Sequence, residues 1–291
     1  SEDGKYRSAT ELVTFFENHD MPRLQSLGAN EDMLRLALVL ILTGRGIPCL
    51  YYGAEQCLHD DTNGGNDPYN RPMMPSFDTE APLFQVVQKL ARVRKNNISV
   101  QFGSQWTRYL TPDVYCFSRH YGESRCFVAL NRGRSVMLDR VLTDLPDGTH
   151  ECVLTGKSVN VANGEVKGLE LGGGQALVLA FDAVPVRGRA VALFQLNGCP
   201  TRPGEGVAVM GSCIELGEWD EARAFRLEYI NPNMWQGGLA LGESAGKQIT
   251  YKYVVIRENA GSEPPLRENR TTRRRVVPDS GTAKWRDIWE E

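Results

Sequence analysis

Asn18, His19 and Asp20 stand together at the end of an apolar run, in Phe-Phe-Glu-Asn-His-Asp-Met-Pro-Arg over residues 15–23. The motif sets an imidazole beside a carboxylate where a strand gives way to a loop, the place where barrel enzymes hold their reacting groups. Asp67 and Arg71 form a second acceptor and donor pair, in Asn-Asp-Pro-Tyr-Asn-Arg-Pro-Met-Met over 66–74. A carboxylate accepts from hydroxyl groups and a guanidinium donates to them, so such a pair can grip a polyol that carries no charge. On their own, the two residues read first as ion partners that stabilise a loop. Trp219 and Tyr229 fall in loop-like segments, and a ring open to water can hold the apolar face of a sugar. For any one tryptophan of a small sandwich, a core position is an equal alternative. His59-Asp60-Asp61 is a weak polar cluster and reads as loop, not as a metal site.

Two βα repeats are expected to carry the first cluster. Glu11–Glu17 reads as a short apolar strand, Asn30–Gly44 as a helix from the spacing of Met33, Leu34, Ala37, Leu38, Ile41 and Leu42, and Ile47–Tyr52 as a second buried strand. Residues 53–82 are dense in Gly, Asn, Asp and Pro and read as loop, and Leu83–Lys95 restores helical spacing. This alternation predicts parallel strands. Two such units cannot close a sheet, and an uncovered edge with an apolar flank at Ile47–Tyr52 is prone to association. From about 98 to 182 the period changes to two, with strands at Trp106–Leu110, Val114–Arg119, Arg125–Asn131, His150–Leu154 and Ala176–Phe181. Ala190–Leu196, Gly206–Gly211, Trp235–Leu241, Gln248–Arg257 and Ala283–Trp289 repeat that pattern. The expected architecture is multidomain: a partial (β/α) barrel segment of the last two βα units over 1–97, then two antiparallel β-sandwich domains over 98–182 and 190–291, joined by a linker at 183–189.

The bulk numbers fit that division. At 291 residues the length suits about two domains, or three small ones. A net charge of -3 gives no general attraction to nucleic acid or an anionic membrane, so neither is expected as a partner. The run Arg273, Arg274, Arg275 reads as a solvated strand or loop face. Seven cysteines without CxxC pairs argue against a structural zinc site. Cys116 and Cys126 lie on neighbouring expected strands; a disulfide and two buried thiols are both open, and the thiols are favoured. The start, Ser-Glu-Asp-Gly-Lys, lacks the apolar core of a signal peptide, and no run approaches the ~18 apolar residues of a membrane span.

Three motifs in order carry a resemblance: Phe-Phe-Glu-Asn-His-Asp (15–20), Gly-Ile-Pro-Cys-Leu-Tyr-Tyr-Gly-Ala-Glu-Gln (46–56) and the Asn-Asp-Pro-Tyr-Asn-Arg segment (66–74). With them, residues 1–97 resemble the carboxy-terminal third of the α-amylase superfamily, glycoside hydrolase family 13, and its cyclodextrin glucanotransferases and α-amylases in particular. Asp113-Val114-Tyr115 and Val128–Arg132 are similar to that family's carboxy-terminal β-domain. The resemblance implies that Asp20 is the third carboxylate of the cleavage site, which binds sugar hydroxyls and stabilises the transition state, and that His19 donates to the same sugar. Asn18 is carried over with them as substrate-binding, and Asp67 and Arg71 match the donor side of the glucan cleft.

Residues 190–291 resemble the starch-binding modules of carbohydrate-binding family 20, through Val209–Ser212, Leu216-Gly217-Glu218-Trp219-Asp220, Tyr251-Lys252-Tyr253, Glu268-Asn269-Arg270 and Asp287-Ile288-Trp289. The resemblance places Trp219, Lys252 and Asn269 in one glucan site and Tyr229 in a second. Two departures predict weak affinity for starch. The second tryptophan of the first site is replaced around Glu263–Leu266, and the companion tyrosine of the second site is Ala208.

The nucleophile and general acid of this family come from strands that precede the Asn-His-Asp strand, and only 14 residues precede Phe15 here. Glycoside hydrolysis needs both groups, so the chain as given is expected to be inactive. Its partner is expected to be starch or another α-1,4-glucan, and also the amino-terminal half of a barrel. The calcium segments of the resembled enzymes have no counterpart in this sequence; no metal or cofactor is assigned, and calcium stays open only for a complete parent enzyme. Residues 182 and 190 leave no room for the extra sandwich of glucanotransferases, which tilts the reading toward an α-amylase parent, while the Asp67 and Arg71 loop keeps transfer open. The alternative is a non-catalytic α-glucan-binding protein, and a sandwich that binds another protein is the blandest reading. An extracellular location follows from the resemblance alone.

Overall fold

The structure is a computed structural model that describes residues 12–121, 124–182, 190–257, 266–268 and 272–290. The chain divides into two compact units, one of residues 10–120 with 124–182 and the other built mainly of 183–291.

The first unit begins β1 (Val13–Thr14), α1 (Glu31–Thr43), β2 (Ile47–Pro48), α2 (Pro82–Asn96), α3 (Ile98–Phe102). β1 and β2 pair in parallel, as the alternation predicts, with Val13 opposite Ile47. Both are much shorter than expected. Pro48 has no N–H to extend the ladder, and after Cys49 N–H reaches Thr14 O at 2.8 Å the chain turns away. Gly46 makes the close approach of the two strands feasible. Its φ is +106°, and a Cβ there would meet Thr14 Cγ2 at 2.6 Å and Leu12 O at 2.9 Å. Leu12, Val13, Phe15 and Ile47 remain exposed, so the apolar flank expected near the second strand exists and extends to the first.

α1 starts where Asn30 Oδ1 accepts from Met33 N–H at 2.9 Å, with Glu31 and Asp32 at the positive end of the helix dipole. Its last turn holds no basic residue, yet its terminal carbonyls are satisfied from outside. Arg94 of α2 donates to Leu42 O at 3.1 Å and Gly44 O at 3.3 Å, and the buried Arg119 donates to Thr43 O at 2.8 Å. Two faces of α1 are buried: Leu34 and Leu38 pack with Leu83 of α2, and Leu36, Val39 and Leu42 pack on a β-sheet.

That sheet has the order β10–β5–β4–β3, from β3 (Ser104–Leu110), β4 (Val114–Tyr121), β5 (Ser124–Asn131) and β10 (Ala176–Phe181). Alternation along each strand sends Phe117, Val128 and Val178 to the helices and Cys116, Phe127 and Leu177 to the other side. The other side is covered by β6 (Val136–Leu142) with β9 (Glu165–Leu171) and by β7 (Gly148–Glu151) with β8 (Ser158–Val161), all antiparallel. Cys116 and Cys126 are free, buried thiols, which resolves the two readings left open for them.

The second unit is a sandwich. One sheet runs β14–β15–β11–β19 and the other β13–β12–β16–β17, with β18 also on β16. Its strands are β11 (Ala190–Asn197), β12 (Glu205–Gly211), β13 (Phe225–Arg226), β14 (Glu228–Asn231), β15 (Met234–Ala240), β16 (Gln248–Arg257), β17 (Leu266–Arg267), β18 (Arg273–Val276) and β19 (Gly281–Ile288). Pairing is antiparallel except for β11 with β19, which is parallel. All eight residues of β11 are buried, and Phe194, Val209, Tyr251, Tyr253, Trp235 and Trp285 fill the space between the sheets.

The arginine run does not read as a solvated face throughout. Arg274 is exposed, but Arg273 is 4 % exposed and pairs with buried Glu268, and its Nε lies 3.4 Å from Asp287 Oδ1. Tyr251 and Tyr253 both donate their hydroxyls to Asp287 Oδ2 at 2.8 Å. A buried arginine requires such partners because an unpaired charge in the core is costly, and the partners lie too far apart in sequence to be seen there.

Candidate functional site

The Asn-His-Asp segment leaves β1 as a loop tip whose side chains point outward: His19 is 65 % and Asp20 74 % exposed, with His19 Nε2 3.3 Å from Asp20 Oδ1. Asn18 shapes the tip, since its Oδ1 accepts from Asp20 N–H at 2.8 Å. The Asp67–Arg71 pair arrives from the loop between β2 and α2, and the two side chains are joined as an ion pair. Arg71 Nη1 also donates to His19 O at 3.3 Å, and Asn70 Nδ2 donates to the same oxygen at 2.7 Å. The five residues singled out in this part of the chain are thus brought into one surface cluster. It is open: the grooves of about 300 Å3 beside Leu36, Leu40 and Leu110 and of about 480 Å3 beside Arg35, Lys157 and Glu170 share no residue with it.

Beneath the cluster lie residues that sequence reasoning missed. Arg23 is 1 % exposed; its Nη1 donates to Glu17 Oε1 at 3.0 Å and Tyr52 O at 2.8 Å, and its Nε to Asn70 O at 3.1 Å. Its Cζ sits 4.0 Å from the Tyr51 ring centroid and 4.7 Å from that of Tyr52. Burial, and then the neighbouring Tyr52, pushes the Tyr51 phenol above its usual range, so the ring against the cation stays neutral. Glu17 Oε2 accepts from Leu24 N–H at 2.9 Å, which closes the loop below its tip. The available signal was weak: Glu17 and Arg23 are charged residues on either side of the motif, and nothing in one sequence says that they turn inward.

His59 sits 3.9 Å from Asp61 and its Nδ1 is 2.9 Å from Cys57 O, an arrangement internal to the loop. Among the described residues no group of three or more His, Cys, Asp or Glu side chains is placed to hold a metal ion.

In the second unit, Trp219 is presented by backbone geometry. Gly217, Glu218 and Trp219 have φ of +77°, +52° and +70°, three successive left-handed residues at the end of a short 3-10 turn after β12. Only glycine fits at 217, where a Cβ would lie 2.8 Å from Arg223 O. The turn leaves Trp219 40 % exposed, while Trp235, Trp285 and Trp289 are 6–7 % exposed core residues. Lys252, half-buried on β16, lies opposite Met210 of β12 and so shares the sheet from which the Trp219 turn departs. Tyr229 belongs to β14 in the opposite sheet, in a strand where a loop was expected; it is 41 % exposed, with its ring 5.3 Å from that of Trp235. Tyr229 thus stands on a strand of one sheet, and Trp219 on a turn that follows a strand of the other. Ala208 is fully buried among Met210 and Val254. Asn269 and residues 263–265 lie outside the described residues; Glu268, next to Asn269 in sequence, is held by Arg273.

Three family models match successive parts of the chain: the α-amylase catalytic domain over residues 3–77, the α-amylase C-terminal all-beta domain over 109–182, and the starch binding domain over 190–284. A cyclomaltodextrin glucanotransferase of Thermoanaerobacterium thermosulfurigenes is 38% identical over 281 residues, covering 86% of this chain and 39% of that protein. One from Bacillus sp. (strain 6.6.3) is 30% identical over 285 residues with the same two coverages. A crystal structure of a cyclomaltodextrin glucanotransferase with a three-domain ABC distribution matches with a TM-score of 0.59 at 41% identity, over 62% of this chain and 38% of that one. The chain thus spans 39% of the length of these two curated relatives.

Proposed function

We propose, for a chain that is a carboxy-terminal portion of the α-amylase superfamily carrying a starch-binding domain, that it supplies the sugar-gripping part of a starch-acting site and an anchor to the same polymer. Asp20 accepts from hydroxyls of the glucose ring at the cleavage subsite, and His19 donates to that ring as it distorts toward the transition state. Asp67 and Arg71 take the hydroxyls of the next sugars on the donor side. Trp219 with Lys252, and separately Tyr229, hold glucan in the second unit.

The observation that carries this reading is the outward exposure of His19 and Asp20 on a tip whose backbone is pinned by Asn70 and Arg71. A pinned backbone under exposed polar side chains is how a site prepays the cost of ordering. Bond cleavage needs a nucleophile and a general acid besides these groups, and we assign neither to residues of this chain. The chain by itself is expected to bind soluble starch, seen as retardation in a starch-containing native gel, without releasing reducing sugar. Reducing-sugar release by purified residues 1–291 would overturn the division of labour; absence of retardation would overturn the glucan assignment.

A further inference from the structure

Three chain segments from two loops of the candidate site converge on one buried cation. The guanidinium of Arg23 donates at once into the loop after β1 through Glu17, into the segment after β2 through Tyr52 O, and into the loop before α2 through Asn70 O. Asn70, itself 1 % exposed, passes the constraint on by donating from Nδ2 to His19 O at 2.7 Å. Its neighbour Arg71 reaches the same oxygen and carries the ion pair with Asp67. We propose that Arg23 is the positioning residue of the His19–Asp20 site, acting through Asn70; the proposal rests on the glucan-gripping role given to that site.

The chemistry explains the residue type. A planar guanidinium presents several donors in fixed directions, whereas an ammonium is a single point charge on a flexible stem. Only the fork can satisfy a carboxylate and two carbonyls from three chain segments while lying against the Tyr51 ring at 4.0 Å. Glu17 neutralises the cation and ties Leu24 N–H with its second oxygen, so both ends of the loop that carries His19 and Asp20 are fixed to the same pair. Arg23 touches no surface that a sugar reaches. Its influence on His19 runs through the Asn70 backbone and side chain.

The test uses the full chain and three variants, Asn70→Ala, Arg23→Lys and Glu17→Gln. Hydrogen exchange is followed at the amides of residues 18–20, and the His19 Hε1 resonance is titrated with maltoheptaose. Positioning requires exchange at 18–20 to rise by about tenfold or more in Asn70→Ala and Arg23→Lys while the amides of α1 keep their protection. It also requires the maltoheptaose midpoint read at His19 to weaken by about fivefold or more, with adsorption to granular starch through the second unit unchanged. Asn70→Ala leaves the Arg23–Glu17 pair in place, so it can refute the route through Asn70 even where Arg23→Lys or Glu17→Gln fails to fold. Unchanged exchange at 18–20 in folded Asn70→Ala overturns the proposal. A wild-type His19 resonance that ignores maltoheptaose would instead remove the role of the site, and the exchange comparison would still decide whether Arg23 positions the tip.

Discussion

Trp219→Ala isolates one ring with little else disturbed. Position 219 has φ of +70°, which costs any non-glycine residue about the same, so alanine keeps the backbone strain and removes the indole. The ring is 40 % exposed and belongs to no core cluster, so folding stability should change by less than about 1 kcal/mol. A stacked ring in comparable flat-ring recognition contributes ~1–3 kcal/mol, and at about 1.4 kcal/mol per decade the loss corresponds to about 5- to 140-fold in affinity. On the proposed reading the second aromatic expected around Glu263–Leu266 is replaced, so the effect should fall in full on Trp219. Depletion isotherms on granular starch, with thermal melting as the folding control, measure it. Tyr229 sits in the opposite sheet, so Tyr229→Ala should weaken adsorption independently, and the two free-energy losses should add in the double variant. An isotherm that Trp219→Ala leaves unchanged, in a protein that still melts normally, refutes the presentation argument.

Further expectations concern the fold. Burial, and then the Asp287 carboxylate, raises the phenol pKa of Tyr251 and Tyr253, so the folded state holds them protonated. The contribution is therefore complete below the unfolded tyrosine pKa of about 10 and is lost as pH rises beyond it, by up to about 1.4 kcal/mol per pH unit for each ring; alkaline denaturation monitored at the tyrosinate band checks this, and unfolding with no pH dependence above 10 contradicts it. Burial lifts the thiols of Cys116, Cys126 and Cys199 to about 12, whereas Cys49 is exposed. A thiol reagent at neutral pH should modify Cys49 quickly and those three only after denaturant is added. Gly46→Ala should destabilise the first unit by about 1–3 kcal/mol, read by urea titration, because the new methyl meets Thr14 and Leu12 O while φ stays positive. A melt equal to wild type would show that β1 and β2 can separate without cost.

Where the sequence carried its own periodicity, the elements were legible. α1 was framed by Asn30 and Gly44 and filled by leucines at helical spacing, and β10 and β16 have the expected limits. β6 and β9 escaped because their alternation is broken: Leu138 and Val141 are three apart, as are Val166 and Leu169, where Gly168 takes a φ of +62°. β1 and β2 were overestimated because apolar side chains were read as buried strand, while Val13, Phe15 and Ile47 are exposed. In the candidate site, the expectation at His19, Asp20, Asp67 and Arg71 came from motif order, and the structure brings those residues into one exposed cluster. The support under it could not be read, since Glu17, Arg23 and Asn70 are polar residues whose burial depends on two loops meeting.

The most direct measurement is an isotope-edited nuclear Overhauser experiment on the full chain with maltoheptaose, read at the His19 ring. The account expects contacts from His19 Hε1 to the sugar ring protons, lost in Asp20→Asn or Asn70→Ala and retained in Trp219→Ala. Sugar contacts confined to Trp219 and Tyr229, with His19 silent, would contradict it.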